Sequence, residues 1–368
     1  MPFIKASRDA ILKPLATVAG IVERRHTLPI LANVLLRKTG DEVSFLATDV
    51  EIQIETTAAL GSGKDDGATT VSARKLIDIL RALPDGPEVT ISLAQRKATI
   101  QAGRSRFALQ TLGAEDFPTV TPAESYGASF TLPQKSLKHL FHMVHFAMAQ
   151  QDIRYYLNGL LLVTDGASVK VVATDGHRLA FCQAQVDAQL ARQEVILPRK
   201  TVLELQRLLG DGEETVQIDV APNQVRFRFG EVTMLSKLVE GKFPDYQRVI
   251  PSNYRRKAIL QRDVLAGSLA RAAILTSDKF KGVRLGLEPS ALKVQTTNAD
   301  QEEAVDEIEA AYDGEALEIG FNISYLQDVL ANLKTEQVQI EFGDANTSAL
   351  LTVPGDDSFK YVVMPMRI

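Results

Sequence analysis

Apolar residues recur along the chain at two different spacings, and each spacing predicts one kind of secondary structure. In the segment "PQKSLKHLFHMVHFAMAQ" (133–150), apolar residues stand at every third or fourth position and place Leu137, Leu140, Phe141, Val144 and Met148 along one side of a helix. In segments such as "EVTISLAQRKATIQAGRSRFALQTL" (88–112), apolar and polar residues alternate, which is typical of strands with one buried face. The pattern predicts an α+β protein.

The predicted elements come in the same order three times. Each time, an amphipathic helix precedes a hairpin, and a strand, a second helix and further alternating strands follow it. The three hairpins end on Thr48-Asp49, Thr174-Asp175 and Thr297-Asn298. Their spacing of about 125 residues is far longer than the ~20–50 residues of a solenoid unit, so each repeat is a whole domain. We therefore predict three α+β domains of similar topology, each with two helices and antiparallel sheets.

Two proline-containing segments separate the repeats. They are "AEDFPTVTPAESYGAS" (114–129) and "EGKFPDYQRVIPSNYRRK" (240–257), and they follow the last strands of the first and second repeats. The domains are predicted at 1–124, 125–254 and 255–368. The third repeat closes on "FKYVVMPMRI", an unusually apolar ending for an acidic chain. Pro365 has no amide hydrogen to continue a strand ladder, so this end is predicted to leave the sheet.

Composition indicates a globular protein of the cytoplasm. The content of apolar residues is 45% and that of charged residues 24%, which is enough for several cores. The only cysteine, Cys182, excludes an intrachain disulfide and a cysteine-rich zinc site. Charges interrupt the N-terminal segment where a signal peptide needs an apolar run, and no apolar run is long enough to cross a bilayer. We expect a cytoplasmic protein without membrane contact.

Charge is unevenly distributed along the sequence. The net charge of −5 argues against nucleic acid, since phosphate binding depends on Lys and Arg. However, many basic residues fall in the predicted helices, including Arg8, Arg207, Arg262 and Arg271, whereas acidic residues gather on turns and late strands. This distribution has two interpretations: the basic helices form one positive surface on a negative molecule, or the charges belong to ordinary solvated helix faces.

The sequence contains no convincing catalytic or metal-binding motif. "ATDGHRLAF" (173–181) could offer Asp175 and His177 as an acid–base pair, but no G-x-S-x-G, H-E-x-x-H or paired-carboxylate signature accompanies it. "LGSGKDDG" (60–67) lacks the first glycine of a phosphate loop. His139, His142 and His145 spread over about 120° of helix surface, which favours a weakly basic face over a metal site. We expect no catalytic residue, no metal and no cofactor.

Six short motifs, in order along the chain, resemble those of one family. They are "RYYLNG" (154–159), "ATDGHRLA" (173–180), "FPDYQRV" (243–249), "SDKFKGVRL" (277–285), "IGFNISYL" (319–326) and "YVVMPMR" (361–367). Together with the triplication they resemble the bacterial DNA sliding clamps, the beta subunits of DNA polymerase III, from the first residue to the last. Each motif alone is short, but six in the right order are highly specific.

The resemblance implies a function without catalysis. Clamps of this family are head-to-tail homodimers that form a ring of six similar domains around double-stranded DNA, with helices lining the hole. They bind DNA without reading its sequence and tether the catalytic subunit of DNA polymerase III. The clamp loader, other polymerases and repair proteins bind them through short peptide motifs. A weakly basic lining would then hold phosphates without gripping them.

The same resemblance implies three groups of site residues. For DNA binding they are Arg25, Gln151, Tyr156 and Lys200. For the head-to-tail interface they are Lys75, Arg104, Arg106 and Phe107 on one surface and Ile274, Leu275, Asp300, Glu302, Glu303 and Asp306 on the other. For a partner-peptide groove beside the C-terminus they are Arg154, Leu157, Thr174, Gly176, His177, Arg178, Leu179, Pro244, Arg248, Val249, Asn322, Tyr325, Val362, Met364, Pro365, Met366 and Arg367.

A second function class stays open at this stage. A tripled scaffold could bind single-stranded nucleic acid directly, for which stacking aromatic side chains are needed. The chain has no Trp, 8 Tyr and 15 Phe, and few of them stand among basic residues. Tyr155-Tyr156 and "VRFRFG" (225–230) are the exceptions.

Overall fold

The computed structural model describes residues 2–23, 28–63, 65–277 and 280–368. Its helices are α1 Arg8–Ala19, α2 Ala73–Ala82, α3 Gln134–Val144, α4 Arg199–Leu208, α5 Tyr246–Val249, α6 Arg262–Ala272 and α7 Ile323–Asn332. Short 3-10 helices span Pro29–Ala32, His145–Ala147, Tyr155–Leu157 and Ala273–Leu275. None of the described helices is long and apolar enough to span a membrane.

Antiparallel strands make up most of the regular structure. They are β1 Pro2–Ala6, β2 Asn33–Thr39, β3 Glu42–Thr48, β4 Ile52–Ala59, β5 Gly67–Ser72, β6 Val89–Ala94, β7 Lys97–Ala102, β8 Ser105–Leu112, β9 Ala128–Pro133, β10 Gly159–Thr174, β11 Arg178–Pro198, β12 Thr215–Val220, β13 Gln224–Phe229, β14 Val232–Lys237, β15 Arg256–Gln261, β16 Gly282–Glu288, β17 Ala291–Thr297, β18 Glu303–Glu309, β19 Leu317–Asn322, β20 Gln337–Phe342, β21 Ala349–Val353 and β22 Asp356–Val363.

The first of two compact units comprises Met1–Lys135 and Leu203–Leu238. Its strands form one sheet in the order β1-β6-β7-β8-β5-β2-β3-β4-β14-β13-β12-β9. Strands of the first repeat join those of the second where β4 pairs with β14, for example Met234 opposite Ile54. Ile11, Leu15 and Val18 bury one side of α1, which packs on β3, β4 and α2.

The second unit comprises Ser136–Val202 and Val239–Ile368. One of its sheets has the order β10-β11-β22-β21-β20-β15 and the other the order β18-β17-β16-β19. Strand β11 of the second repeat pairs with β22 of the third, with Leu179 opposite Val362. An apolar cluster lies beneath this junction and includes Leu157, Leu161 and Val172.

These units divide the chain differently from the three sequence repeats. The strands of the middle repeat are shared, since β9 and β12 to β14 belong to the first unit and β10 and β11 to the second. The physical reason is the pairing of β4 with β14 and of β11 with β22, which carries hydrogen bonds across the repeat boundaries. The boundaries 1–124, 125–254 and 255–368 stay predictions about the repeat.

The apolar stripe of the middle repeat extends beyond its helix. Helix α3 ends at Val144, whose φ of −129° leaves the helical range, and His145–Ala147 form a 3-10 turn. Met148 is still buried, but it reaches the core from outside the helix. The stripe therefore predicted the buried residues correctly and placed the end of the helix too late.

Candidate functional site

A groove of roughly 530 Å³ opens within the second unit, at the junction of β11 and β22. Buried Leu157, Leu179 and Val362 form its floor, and the more exposed Val249 and Met364 lie at its rim. The full lining is Arg154, Tyr156, Leu157, Thr174, Gly176, His177, Arg178, Leu179, Pro244, Val249, Val362 and Met364. An apolar floor with a few polar groups at its edge suits apolar side chains of a bound peptide.

The turn between β10 and β11 builds one end of the groove. The Thr174 hydroxyl donates to the Arg178 carbonyl (2.6 Å) and accepts from the Gly176 amide (3.1 Å). Asp175 Oδ1 accepts from the amides of His177 (2.9 Å) and Arg178 (3.1 Å). Gly176 has φ +90°, a conformation that side chains rarely adopt. The Asp175 carboxylate that could suggest acid–base chemistry therefore closes a turn.

The same turn recurs at the Thr-Asp pair of the first repeat, and a turn one residue longer stands at the Thr-Asn pair of the third. In the first repeat, Asp49 Oδ1 accepts from the amides of Glu51 (3.0 Å) and Ile52 (2.7 Å). In the third, Asn298 Oδ1 accepts from the amides of Asp300 (3.0 Å) and Glu302 (2.9 Å). A side-chain oxygen that captures following amides is the usual role of Asp and Asn in turns. The repeated dipeptide is thus a turn-forming element.

Arg178 ties this turn to its surroundings. Its guanidinium donates to Asp175 Oδ2 (3.1 Å), to Asp328 Oδ2 (2.5 Å) and to the carbonyl of Phe146 (2.7 Å). It also lies 4.5 Å from the centre of the Tyr325 ring. Burial lowers the pKa of Arg178, but the Tyr361 hydroxyl and the Asp328 and Asp175 carboxylates outweigh it, so the pKa is raised. The charge of Arg178 is therefore satisfied within the chain.

Arg154 lies at the rim above the turn. It makes a two-pronged ion pair with Asp152 (Nε to Oδ1 3.0 Å, Nη2 to Oδ2 2.8 Å) and also donates to the Asp175 carbonyl (3.1 Å). The hydrogen bonds from Arg154 lower the pKa of Asp152 to about 2. A Cβ atom on Gly176 would lie 2.9 Å from Arg154 Nη1, so the glycine also leaves room for this guanidinium.

Six of the predicted groove residues lie outside the lining just described. Arg248 is exposed and pairs with Asp245 (3.0 Å), and Asn322 caps helix α7 by accepting from the Ser324 amide (3.0 Å). Tyr325 lies against Arg178, while the remaining three, Pro365, Met366 and Arg367, follow Met364 away from the groove. Met366 and Arg367 line a separate cavity with Ile368.

Tyr156 was assigned to DNA by resemblance, yet it lines the groove. Its position next to Leu157, a predicted groove residue, was the available signal. Gln151 is exposed at φ +55° in the same loop, and Lys200 lies in the first turn of α4. Arg25 falls outside the described residues.

The helix arginines expected to make a positive surface are largely paired with acids of the same chain. Arg8 pairs with Asp85, Arg207 with Glu204 (2.9 Å), and Arg262 with Asp263 (2.5 Å). Arg271 pairs with Asp306 (2.5 Å), one of the predicted interface carboxylates. The positive surface is therefore weaker than the count of arginines suggests.

The predicted interface residues fall into two groups, one in each unit. In the first unit, Arg104 is exposed in the turn before β8, Arg106 and Phe107 are exposed at the start of β8, and Lys75 lies in the first turn of α2. In the second unit, Ile274 is 78% exposed beside half-buried Leu275. The remaining members, Asp300, Glu302, Glu303 and Asp306, lie in the turn before β18 and along that strand.

Comparison with known proteins gives full-length matches. Models of the DNA polymerase III beta subunit match in order: the N-terminal domain at residues 1–121, the central domain at 131–245 and the C-terminal domain at 247–367. The chain is 47% identical over 362 residues to the beta sliding clamp of Pseudomonas putida, covering 98% of each chain. It is 44% identical over 361 residues to that of Escherichia coli K12, again covering 98% of each.

Solved structures agree with the sequence matches. A DNA polymerase sliding clamp from Pseudomonas aeruginosa superposes with a TM-score of 0.96 at 45% identity and covers 100% of both chains. The beta sliding clamp of C. crescentus gives 0.93 at 38% identity over 99% of each chain, and that structure has PEG bound to a putative beta-motif tethering region. The predicted resemblance and the three-domain clamp fold are confirmed.

We expect Arg178→Met to destabilise the second unit. The change would leave Asp175 and Asp328 without their shared cation, and removing one partner of a buried ion pair is strongly destabilising. Because Asp328 is partly exposed, we expect the free energy of unfolding to fall by about 2–3 kcal/mol, measured by urea denaturation. Arg248→Met removes an exposed arginine and serves as the control. Equal stability of the two variants would show that Arg178 does not tie the turn in place.

Proposed function

The chain belongs to the DNA polymerase III beta-subunit family of sliding clamps, and we propose that two copies of it close head to tail into a ring around duplex DNA. Its function is that of a processivity clamp in DNA replication. The observation that carries this conclusion is the match of all three domains, in order, over the whole chain. We further propose that it works in the cytoplasm and has no catalytic site of its own.

A ring explains how an acidic protein can work on DNA. Binding that relies on phosphate contacts weakens steeply with salt, and such nonspecific complexes have dissociation constants of about 10⁻⁴–10⁻⁶ M. A closed ring stays on the duplex by topology instead of affinity. It needs only weak contacts, so the net charge of −5 and the paired arginines fit free sliding. Arg25, Gln151, Tyr156 and Lys200 remain our proposals for the DNA contacts.

Two strand edges that are partly unpaired within the described residues support head-to-tail closure. Strand β18 is the outermost strand of its sheet and pairs with β17. Strand β8 pairs with β7 along Ser105–Gln110, and β5 covers its other edge at Thr111 and Leu112. An exposed strand edge offers free amide and carbonyl groups to another chain. We propose that β8 of one subunit and β18 of its partner extend one sheet across the interface.

Charge and apolar contact would add specificity to that edge pairing. Arg104 precedes β8 and Arg106 lies near its start. Likewise, Asp300 and Glu302 precede β18 and Glu303 begins it. Complementary charges mainly set register and association rate, so the exposed Ile274, Phe107 and Val305 should supply more of the affinity. Asp306 already binds Arg271 and would contribute least of the four carboxylates.

We propose that the groove receives short peptides of the replicative polymerase and of other clamp partners. Its apolar floor suits leucine or phenylalanine anchors, and Met364 at the rim is flexible enough to fit several partners. The candidates are the polymerase III catalytic subunit, the clamp loader, other polymerases and repair proteins. Arg154 and His177 are the exposed polar residues of the lining and are the most open to the peptide, whereas Arg178 is half-buried and bound to Asp175 and Asp328.

Topological binding can be tested directly. Loaded onto nicked circular duplex DNA, the protein should stay bound through gel filtration at high salt, because a closed ring cannot leave a closed path. Linearising the circle should release it by sliding off the ends. Blocking both ends with a bulky protein is the control and should restore retention. Equal loss from circular and linear DNA would favour the alternative of direct, single-strand-type binding.

The interface can be tested by charge exchange. Arg104→Glu with Arg106→Glu should place like charges against the acidic strand and give monomers in sedimentation, and Asp300→Lys with Glu303→Lys should do the same. Mixing the two variants should restore a dimer, because both contacts in the mixed pair are again complementary. Arg192→Glu with Lys237→Glu changes the net charge equally at other surface sites and should remain dimeric. Two monomeric variants that stay monomeric when mixed would argue against this pairing.

The groove can be tested at its rim. Val249→Asp should weaken binding of a labelled peptide from the polymerase III catalytic subunit at least about tenfold, because a carboxylate would lie among apolar anchors. Val264→Asp on helix α6 is the matched control, since that valine has similar exposure and lies outside the lining. Fluorescence anisotropy measures both affinities. Peptide binding that is unchanged by Val249→Asp would place the partner site elsewhere.

A further inference from the structure

The last five residues are held along a defined path after strand β22 ends. The Met364 amide donates to the His177 carbonyl (2.9 Å), and the Met366 amide donates to the Gly320 carbonyl of strand β19 (2.7 Å). Met364 lines the groove, whereas Met366 and Ile368 line the neighbouring cavity. The segment Met364–Ile368, here called the C-terminal strap, thus runs from the groove to the sheet that contains β16 and β19.

Two glycines lie directly beneath the end of the strap. On the antiparallel pair of β16 and β19, Gly282 stands opposite Asn322 and Gly320 opposite Arg284, so the glycines are diagonal neighbours on one face. A Cβ atom on Gly320 would lie 2.8 Å from Ile368 Cγ1 and 3.0 Å from its Cδ1, and would also overlap the Met366 carbonyl. A Cβ atom on Gly282 would overlap Ile368 Cγ2. The Ile368 side chain occupies the space that two side chains would otherwise fill.

Neither glycine is required by its own backbone. Gly282 and Gly320 are absent from the residues with positive φ, unlike Gly176. A glycine inside an ordinary strand usually weakens it, because it adds conformational freedom to the unfolded chain and offers no side chain for packing. Gly286, further along β16, is different, since a Cβ atom there would meet nothing closer than Lys293 Cβ at 3.5 Å. The unusual feature at 282 and 320 is the strap above them.

We propose that Gly282 and Gly320 form a seat for Ile368 that holds the C-terminal strap in place and thereby positions Met364 as a wall of the groove. The two glycines are positioning residues, since neither lines the groove itself. This inference rests on the proposed role of the groove in peptide binding. A strap held at both ends presents Met364 in one place, so less freedom is lost when a peptide binds. A strap that is free at Ile368 has to become ordered each time a peptide binds, and the lost conformational entropy would lower the affinity.

The seat predicts different results for the two glycines. Gly320→Ala obstructs both the Ile368 side chain and the Met366 carbonyl, so it should lift the strap and weaken polymerase-peptide binding by about tenfold. Gly282→Ala obstructs the Ile368 side chain alone, so it should weaken binding less. Ile368→Ala removes the side chain that the seat holds, so it should weaken binding by itself. In that background Gly282→Ala should cause no further loss, whereas Gly320→Ala should, because it still obstructs the Met366 carbonyl. Gly286→Ala is the control and should bind peptide like the unaltered protein.

Two further readouts separate the seat from a general loss of structure. Thermal unfolding should show Gly282→Ala and Gly320→Ala to unfold close to the temperature of Gly286→Ala, because alanine favours all three strand positions equally and the displaced Met366 and Ile368 are already exposed. Amide hydrogen exchange should accelerate at Met366 in Gly320→Ala while neighbouring strand amides keep their protection. Lower affinity with retained stability and faster exchange at Met366 would support the seat.

Other results of the same measurements would refute the seat or the groove. If the unaltered protein binds the polymerase peptide and both glycine variants bind it as Gly286→Ala does, the seat is refuted and the proposed groove stands. If the unaltered protein does not bind the peptide, the proposed groove function fails, and the inference fails with it. Slow exchange at Met366 in Gly320→Ala would also refute the seat, since the strap would still be in place.

Discussion

The groove depends on one half-buried cation. Arg178 begins strand β11 directly after the turn at Asp175, and its guanidinium reaches Asp175, Asp328 on α7 and the carbonyl of Phe146. It therefore connects the middle repeat to the third at the point where β11 and β22 pair. Tyr325 covers the guanidinium, and the Tyr361 hydroxyl donates to the Tyr325 carbonyl (2.9 Å). A charge at this depth is tolerated because every side of it meets an acceptor or an aromatic ring.

The turn beside Arg178 shows how a repeated structural element can acquire a local function. All three repeats close their hairpin with an Asp or Asn side chain that binds following amides, so the dipeptide is explained by turn formation alone. Only in the middle repeat does the turn also line the groove, where Gly176 leaves space for Arg154. Val50 has the corresponding positive φ in the first repeat, at 70°, without being a glycine. The glycine therefore reflects close approach as well as backbone conformation.

Sequence reasoning predicted the local features well and the long-range ones poorly. The helix stripe around Leu140, the repeated hairpins and the exit of the chain from the sheet near Pro365 follow from periodicity and backbone chemistry. The pairing of β4 with β14 has no local signature, because strand register between repeats depends on the whole fold. Resemblance assigned many groove residues, but it could not show that Asp175 and Asp328 of the same chain already bind the Arg178 guanidinium. Nor could it show that Met366 leaves the groove to bind Gly320.

The pairing of arginines with acids of the same chain has a consequence for sliding. A ring that moves along DNA must bind each new phosphate with nearly the same interaction energy as the last. Strong individual contacts would therefore slow its movement. Arg207 and Arg262 lie on helices, and each has a carboxylate within 3 Å. The carboxylate offsets part of the positive charge, so less interaction energy is lost when the arginine leaves a phosphate. In our proposal the specific contacts of this protein are instead those of the groove, where apolar surface and shape would select the partner. The proposed weak binding to DNA and the proposed selective binding to peptides would therefore depend on different chemistry, so a change in one need not alter the other.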